Sequence, residues 1–270
     1  MATAVDEELV ITIAHGIARA TINRPYSRNA ISSQIIQQLL ELLARMRTDP
    51  SIRVLLLDAA GENFIAGGDV KAFARGLEMT VTERSQDMAE RAARAGALCL
   101  AISEVPQPVV VAARGFVVGV GMSILCAADL AILSETARLM LSHVSLGISP
   151  DGGASWSLPR QIGMKRAKQL ALLGDRIDAD QACAMGLANW VVPDAELDAS
   201  ALALAERIAA GARVAQAQTK ALVQASFARD FAGQVEAEVT ALAHCATTPD
   251  YAEGLRAITG KRPARFGGEG

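Results

Sequence analysis

Short apolar runs alternate with amphipathic helical patterns along the first two thirds of the chain. Residues 9–13 and 17–22 are rich in β-branched and aliphatic side chains and predict two strands. His15 and Gly16 lie between these runs, so the strands are expected to form a hairpin. Ser32 then introduces apolar positions with the spacing of an amphipathic helix: Ile35, Leu39, Leu42, Leu43 and Met46.

Three further apolar runs, residues 53–58, 109–113 and 130–133, are separated by helical stretches. Buried strands that alternate with helices indicate a mostly parallel sheet with crossover connections. The sequence therefore predicts an α/β fold.

From about residue 165 the pattern is helix after helix, including residues 196–210 and 231–245. Residues 190–192 are the one extended piece expected there. The alanine-rich helices are suited either to fold back on the sheet or to contact a neighbouring subunit.

Composition agrees with one soluble enzyme domain. Of 270 residues, 51% are hydrophobic and 20% are charged, and the apolar runs are too short to span a bilayer. The formal net charge of −3 gives no electrostatic reason to expect nucleic-acid binding. The first ten residues, MATAVDEELV, lack the basic and apolar regions of a secretory signal, so we expect a cytoplasmic protein without a membrane partner.

The four cysteines lie in apolar contexts without the spacing of a metal site. They are Cys99, Cys126, Cys183 and Cys245. We expect buried free thiols in a reducing compartment, and the sequence predicts no structural metal.

Two glycine-bearing turns follow apolar runs: FIAGGDVK at residues 64–71 and RGFVVGVGMS at residues 114–123. Glycine lets the backbone adopt positive φ and lets a ligand approach the peptide closely. The second turn opens a predicted helix at residues 121–127, whose first N–H groups lack intrahelical partners. Together the turns can hold a developing oxyanion, although such turns also serve merely to pack a helix on a sheet, and neither matches a nucleotide-binding loop.

The order of these motifs resembles the crotonase superfamily, also called the enoyl-CoA hydratase/isomerase family. The likeness continues in PDGGASWSLPRQIG, DADQACAMGLANWVV and EGLRAITGKRP, and it covers nearly the whole chain. The resemblance implies a ββα spiral core over residues 1–195 with an acyl-CoA site. It also implies that helices in residues 196–270 build homotrimers, which often pair into hexamers.

The resemblance places the oxyanion-hole donors at the backbone N–H groups of Gly68 and Val120, and relatives usually have glycine at the second position. Hydratases of the family use two glutamates, and the matching residues here are Ser123 and His143. Hydration needs a group to activate water and a proton source, so losing both carboxylates makes ordinary hydration hard to sustain. His143 is then either a lone base or a hydrogen-bonded filler.

Asp151 is the preferred candidate base. In isomerases resembling the phenylacetate-pathway enzyme, and in the 4-chlorobenzoyl-CoA dehalogenase branch, the corresponding aspartate acts on the acyl group. The dehalogenases also need a tryptophan at His143 and a histidine at Gly96, so that chemistry is not expected here. The local alternative is that Asp151 caps the helix that follows it.

The sequence therefore predicts an isomerase that moves the double bond of an enoyl-CoA through an enolate, with Asp151 as base. Hydratase, hydrolase or dehalogenase-like activity, and an acyl-CoA-binding protein without catalysis, are the alternatives. No tightly bound cofactor is expected, because coenzyme A enters as part of the thioester substrate. The resemblance assigns coenzyme A to Arg28, Ala66, Asp69, Lys71, Lys261 and Arg262, the last two near the carboxyl terminus and suited to reach a neighbouring subunit.

Overall fold

The computed structural model describes residues 7–267, except for the side chains of residues 70–72. The strands are β1 (Leu9–Ala14), β2 (Ile17–Ile22), β3 (Val54–Ala59), β4 (Val109–Ala113), β5 (Phe116–Val118), β6 (Leu130–Ser134), β7 (Arg138–Met140), β8 (Arg176–Asp178) and β9 (Trp190–Val192). The helices are α1 (Ser33–Thr48), α2 (Val70–Arg75), α3 (Val81–Glu104), α4 (Val120–Ala127), α5 (Ala154–Ile162), α6 (Met164–Leu173), α7 (Ala179–Met185), α8 (Leu197–Ala209), α9 (Arg213–Ala225), α10 (Phe231–Ala246) and α11 (Pro249–Thr259).

The larger sheet has the strand order β1-β2-β3-β4-β6-β9. The hairpin of β1 and β2 is antiparallel, and all other pairs in this sheet are parallel. The predicted hairpin, the mostly parallel sheet and the extended piece at residues 190–192 are therefore confirmed. The helix expected after Ser32 is α1, and the Ser32 hydroxyl accepts a hydrogen bond from Ile35 N, as an N-cap should.

A smaller sheet, with the order β5-β7-β8, was not predicted. The expectation that residues 190–192 are the one extended piece beyond residue 165 is wrong, because β8 lies before them. Each of these strands has three residues, too few for an alternating pattern to be recognised. In β8 a single buried residue, Ile177, lies between two exposed charged ones, so its sequence resembles a loop.

The order of elements repeats a unit of two strands and a helix. It occurs as β4-β5-α4 and, with a 3-10 segment inserted before the helix, as β1-β2-α1 and β6-β7-α5. In β1-β2-α1 both strands belong to the larger sheet, and in the other two units the second strand belongs to the smaller sheet. The ββα repeat expected from the resemblance is present.

Both faces of the larger sheet are covered. One face joins the main core with α1, α3 and α4. The other face packs against α8, whose buried side chains include Leu197, Ala201 and Ala205. The helical region predicted from residue 196 thus begins with a helix on the sheet, and the boundary between residues 195 and 196 stays a prediction.

Helices α9–α11 expose several large apolar side chains, among them Phe231, Val239, Leu242 and Ile258. Such a surface suits contact with another subunit, and the trimer or hexamer stays a prediction. Within residues 7–267, no helix is both long and apolar enough to cross a bilayer.

All four cysteines are free thiols. Cys99 and Cys126 are buried, as expected, whereas Cys183 and Cys245 are only partly buried. The expectation of buried thiols therefore holds for two of the four, because α7 and α10 each have one face towards solvent.

Candidate active site

The two glycine turns lie side by side because main-chain hydrogen bonds join the segments that precede them. Ile65 N donates to Phe116 O at 3.0 Å, and Val118 N donates to Ile65 O at 2.8 Å. These bonds form a parallel bridge between Ile65 and β5. The chain turns two residues after each partner of the bridge, at Gly67 after Ile65 and at Gly119 after Val117, so the two turns begin next to each other.

Positive φ angles shape both turns, with values of 111° at Gly67 and 57° at Gly119. A Cβ atom at Gly119 would lie 3.8 Å from Gly67 Cα, so the two backbones are in contact. Gly68 and Val120 follow these glycines and line the same cavity. Among the described residues neither backbone N–H has an acceptor, and the Val120 N–H also begins α4, at the positive end of the helix dipole. Two free donors on one cavity wall can hold an anionic oxygen.

Close packing explains why glycine occupies the donor position 68 and position 121 beside the second donor. A Cβ atom at Gly68 would lie 2.6 Å from the Cζ atom of Phe73 in α2. A Cβ atom at Gly121 would lie 2.8 Å from Ile65 O. Val120 is tolerated between Gly119 and Gly121 because its side chain is buried, and the helix begins at Val120 rather than at the predicted residue 121.

Asp151 and His143 form a pair, with Asp151 Oδ1 3.1 Å from His143 Nε2. His143 lies in the 3-10 segment Ser142–Leu146 and its side chain is buried. A carboxylate oxygen only accepts hydrogen bonds, so we assign His143 Nε2 as the donor and Asp151 Oδ1 as the acceptor. His143 Nδ1 is buried without a hydrogen-bond partner among the described residues, so the imidazole has no second anchor.

The second carboxylate oxygen of Asp151 makes no hydrogen bond within residues 7–267. The alternative that Asp151 caps a helix is wrong, since the N-cap of α5 is Gly153 and no side chain caps it. Glycines at positive φ occupy both positions between Asp151 and α5, so the chain turns away before the carboxylate can reach the helix end. Asp151 is thus free to act on a ligand.

Ser123 of α4 packs against the loop that contains Asp151 and hydrogen-bonds to its main chain. Its hydroxyl donates to the Asp151 carbonyl oxygen at 3.1 Å, and its side chain is buried. A Cβ atom at Gly152 would lie 2.7 Å from Ser123 Cβ. Ser123 and Gly152 are therefore closely packed, and any side chain at position 152 would displace one of them.

These groups share one cavity of about 350 Å³. Gly68, Val120, His143 and Asp151 all line it, and so do Ala66 and Asp69. Side chains of α1, α2 and α3 complete the wall: Ser33, Ile36, Phe73, Arg75, Arg91, Arg94 and Ala95. The sequence analysis did not identify the three arginines, because their common surface arises only when α2 packs on α3.

A second cavity, of about 210 Å³, adjoins the first at Ala66, which lines both. Its cationic wall consists of Arg28, Arg138 and Arg176. Ala66 N donates to Arg28 O at 3.1 Å, which fixes the position of Arg28. Arg28 and Arg176 lie over the Phe116 ring, 5.9 and 5.8 Å from its centroid. Three guanidinium groups around one cavity suit phosphate oxygens.

Arg138 and Arg176 were not predicted as site residues. They belong to β7 and β8 of the unpredicted sheet, so no local motif places them beside Arg28. Once the register between β7 and β8 is known, Arg138 and Arg176 fall at opposite ends of the same short pairing.

Lys261 and Arg262 line neither cavity of their own chain within the described residues. Arg262 instead donates to both carboxylate oxygens of Glu253, at 2.7 and 2.8 Å. These hydrogen bonds lower the pKa of Glu253 to about 2. The side chain of Lys71 lies outside the described residues. Contact of Lys71, Lys261 and Arg262 with coenzyme A stays a prediction.

Cys99 lies beside the site but is not suited to act as a nucleophile. A Cβ atom at Gly152 would lie 3.2 Å from Cys99 Sγ, which places the thiol below the Asp151 loop. Burial raises the pKa of Cys99 to about 12, and the nearby charge of Asp151 acts in the same direction. The thiolate is therefore absent near neutral pH.

Comparison with known proteins agrees with this architecture. The sequence profile described as "Enoyl-CoA hydratase/isomerase" matches residues 12–269. The chain is 30% identical to the 1,2-epoxyphenylacetyl-CoA isomerase of Escherichia coli, over 97% of this chain and 99% of that protein. It is 30% identical to the trans-2-decenoyl-[acyl-carrier-protein] isomerase of Streptococcus mutans, with the same coverage. It is 29% identical to the crotonyl-CoA hydratase of Syntrophomonas wolfei, over 96% of this chain and 98% of that protein.

Solved structures give the same result. A crystal structure of an enoyl-CoA hydratase from Bacillus anthracis superposes with a TM-score of 0.90 at 30% identity, covering 97% of this chain and all of that one. An enoyl-CoA hydratase from Mycobacterium smegmatis superposes with a TM-score of 0.87 at 29% identity, covering 96% and 98% of the two chains. These matches identify the fold as crotonase-like. The chain is an acyl-CoA enzyme that belongs to the enoyl-CoA hydratase/isomerase family.

Proposed function

We propose that this protein is a single-base isomerase that converts a β,γ-unsaturated acyl-CoA into its α,β isomer. The observation that carries the proposal is the Asp151 carboxylate on the wall of the cavity, with one oxygen bonded to His143 and the other free. The relatives named as isomerases and those named as hydratases are about equally similar to this chain, so the comparisons alone favour neither reaction.

The reaction needs one base and one oxyanion site. Asp151 Oδ2 takes a proton from the α-carbon, the C–H electrons form a double bond to the thioester carbon, and the carbonyl π electrons move onto the thioester oxygen. The N–H groups of Gly68 and Val120 stabilise the resulting dienolate. Asp151 then returns the same proton to the γ-carbon, which completes the shift without a net gain or loss of atoms.

His143 and Ser123 act through Asp151 in this scheme. The imidazole holds Oδ1 and so directs Oδ2 to the substrate, while the Ser123 hydroxyl fixes the carbonyl of the same residue. Both are positioning residues. A pair of glutamates is not available at these positions to activate water and protonate the α-carbon.

The thioester carrier extends into the second cavity. Arg28, Arg138 and Arg176 would bind phosphate groups of coenzyme A there, and Ala66 marks the point where the pantetheine arm passes from one cavity to the other. An arginine contributes two parallel hydrogen bonds to a phosphate, so the loss of one arginine should weaken binding of any coenzyme A thioester.

The test is incubation in deuterated water with a β,γ-enoyl-CoA and, separately, with its α,β isomer. Liquid chromatography then separates the two isomers, which have equal mass, and mass spectrometry detects any added water. We expect interconversion without addition of water. Asp151→Asn should reduce the rate by at least about a hundredfold, because general base catalysis typically contributes that much. The control is Asp175→Asn, since Asp175 is an exposed aspartate that lines neither cavity in the described part of the chain.

Full isomerase activity in Asp151→Asn would contradict the proposal. Hydration that persists in this variant would identify His143 as the base instead.

A second candidate is addition of water, and the His143–Asp151 pair is the observation that favours it. A carboxylate bonded to an imidazole is an arrangement that can activate water, for attack either on the double bond or on the thioester carbonyl. The same experiment separates the reactions, because hydration adds the mass of water to the thioester and hydrolysis releases free coenzyme A.

A further inference from the structure

The acyl part of the cavity has a cationic wall that the isomerase reaction does not use. Arg75 at the end of α2 and Arg91 and Arg94 of α3 all line the cavity that contains Gly68 and Asp151. An unsaturated hydrocarbon chain offers these guanidinium groups no partner, and polar groups that a ligand desolvates without a partner reduce its affinity.

The positive charge of this wall is only partly neutralised. Arg91 pairs with Asp87 at 2.7 Å. Arg94 approaches Glu90 only to 3.7 Å, and 70% of the Glu90 side chain is exposed, so this contact is weak. Arg75 has no ion pair among the described residues. Two of the three guanidinium groups are thus available to a ligand.

The cationic wall lies close to the thioester position. Phe73 contacts Gly68 on one side, where a Cβ atom would lie 2.6 Å from its ring. Arg91 lies over the same ring, with Cζ 5.5 Å from the centroid. One aromatic ring therefore separates the oxyanion turn from the first guanidinium group, a span that a short acyl chain covers.

Coenzyme A does not account for these arginines. Its phosphate groups have their own cationic cavity at Arg28, Arg138 and Arg176, which is reached through Ala66. A thioester held at Gly68 with its carrier in that second cavity directs only its acyl group towards α2 and α3.

We propose that the substrate is a short acyl-CoA with a carboxylate at the end of its acyl chain, and that Arg75 and Arg94 bind this carboxylate. Arg91, which is paired with Asp87, belongs to the same cationic wall. This inference rests on the proposed function in placing the thioester at Gly68 and Val120 and the coenzyme A phosphate groups at Arg28, Arg138 and Arg176. Guanidinium groups suit a carboxylate because their planar fork donates two parallel hydrogen bonds. The substrate class is thus an unsaturated dicarboxylic acid joined to coenzyme A through one carboxyl group.

The test compares the affinities of adipoyl-CoA, hexanoyl-CoA and free coenzyme A by isothermal titration calorimetry. Adipoyl-CoA and hexanoyl-CoA differ mainly in the terminal carboxylate, and both are saturated, so no double-bond shift occurs during the measurement. We expect adipoyl-CoA to bind about tenfold more tightly than hexanoyl-CoA, since a hydrogen bond to a charged group typically contributes that much. The preference should weaken as salt is added.

Arg75→Gln and Arg94→Gln should each reduce this preference while leaving the affinity for free coenzyme A unchanged. The control is Arg166→Gln, because Arg166 of α6 is exposed and lines neither cavity of the described chain. Equal affinities of the two thioesters would overturn the proposal. It would also be overturned if both variants lost affinity for free coenzyme A, since the arginines would then serve the carrier.

The binding experiment tests the anionic substrate, and the deuterium experiment tests the isomerase, so each proposal can be rejected without the other. A preference for adipoyl-CoA without any double-bond shift in an unsaturated dicarboxylyl-CoA would support the anionic substrate and reject the isomerase. A double-bond shift without that preference would do the opposite.

Discussion

Replacing Lys220 by methionine should destabilise the protein strongly, because this buried ammonium group holds three oxygen atoms. Its Nζ atom lies 2.6 Å from Asp129 Oδ2 and 3.2 Å from each of the carbonyl oxygens of Ile102 and Gln107. Only 7% of the Lys220 side chain is exposed. Burial lowers the pKa of Lys220 and raises that of Asp129, so each charge depends on the other to remain in the interior.

The magnitude follows from what the substitution leaves behind. Asp129 would keep one hydrogen bond, from Val109 N at 2.7 Å, but its buried charge would have no counterion. Ile102 lies in the last turn of α3, so its carbonyl would also lose a partner that no main-chain group replaces. Breaking a buried ion pair on one side typically costs 3–5 kcal/mol, and we expect a loss of about 4 kcal/mol in the free energy of unfolding.

The assay is urea denaturation followed by circular dichroism at one fixed protein concentration. Lys168→Met is the matched control, because Lys168 is an exposed lysine of α6 and its loss should change stability by less than about 0.5 kcal/mol. Combining Lys220→Met with Asp129→Asn should recover at least about 1 kcal/mol, since asparagine still accepts from Val109 N but carries no charge. A single variant within about 1 kcal/mol of the wild type, or a double variant no more stable than the single one, would refute this reasoning.

Three further predictions concern the loop that contains Asp151, a buried thiol of α4 and an ion pair of α11. Gly152→Ala should lower the isomerase rate by roughly a hundredfold, because the residue has a φ of 59° and a Cβ atom there would displace the Asp151 loop; steady-state kinetics tests this. Cys126 should resist a disulfide reagent in the native protein and react after unfolding, because burial raises its pKa to about 12; rapid native labelling would contradict this. The pKa of Glu253 is lowered to about 2 because Arg262 stabilises the ionised form, so this contribution is present above the ordinary glutamate range and is lost as pH falls towards 2. The protection factors of the α11 amides, corrected for the intrinsic pH dependence of exchange, should fall over that pH interval in the wild type but not in Glu253→Gln.

The parts of the fold that local chemistry determines were predicted from the sequence. The Ser32 cap, the apolar spacing of α1 and the long buried strands each depend on residues close together in the chain. The small sheet was not predicted because three-residue strands such as β8 carry no period of their own. Their pairing is specified by the larger sheet on which they rest.

The candidate site likewise has a part that local motifs predict and a part that only the packed structure reveals. Gly68, Val120 and Asp151 lie in motifs that a short stretch of sequence identifies, and the structure brings them to one cavity. Whether Asp151 caps a helix or faces a ligand depends on the turn at Gly152, which local sequence left undecided. The arginines of each cavity come from separate elements, so only the packed structure shows that they line the same cavity.

The main-chain bridge between Ile65 and β5 separates two parts of the site, the backbone N–H donors and the reactive side chains. Because that bridge positions the two N–H donors, the proposed polarisation of the thioester depends on the path of the backbone and not on the surrounding side chains. In the same proposal the reaction depends on a few side chains: Ser123, His143 and Asp151. On this basis we expect that substitution at those positions can change the chemistry while the two N–H donors stay in place. The scaffold is therefore a favourable starting point for directed evolution of new reactions on coenzyme A thioesters.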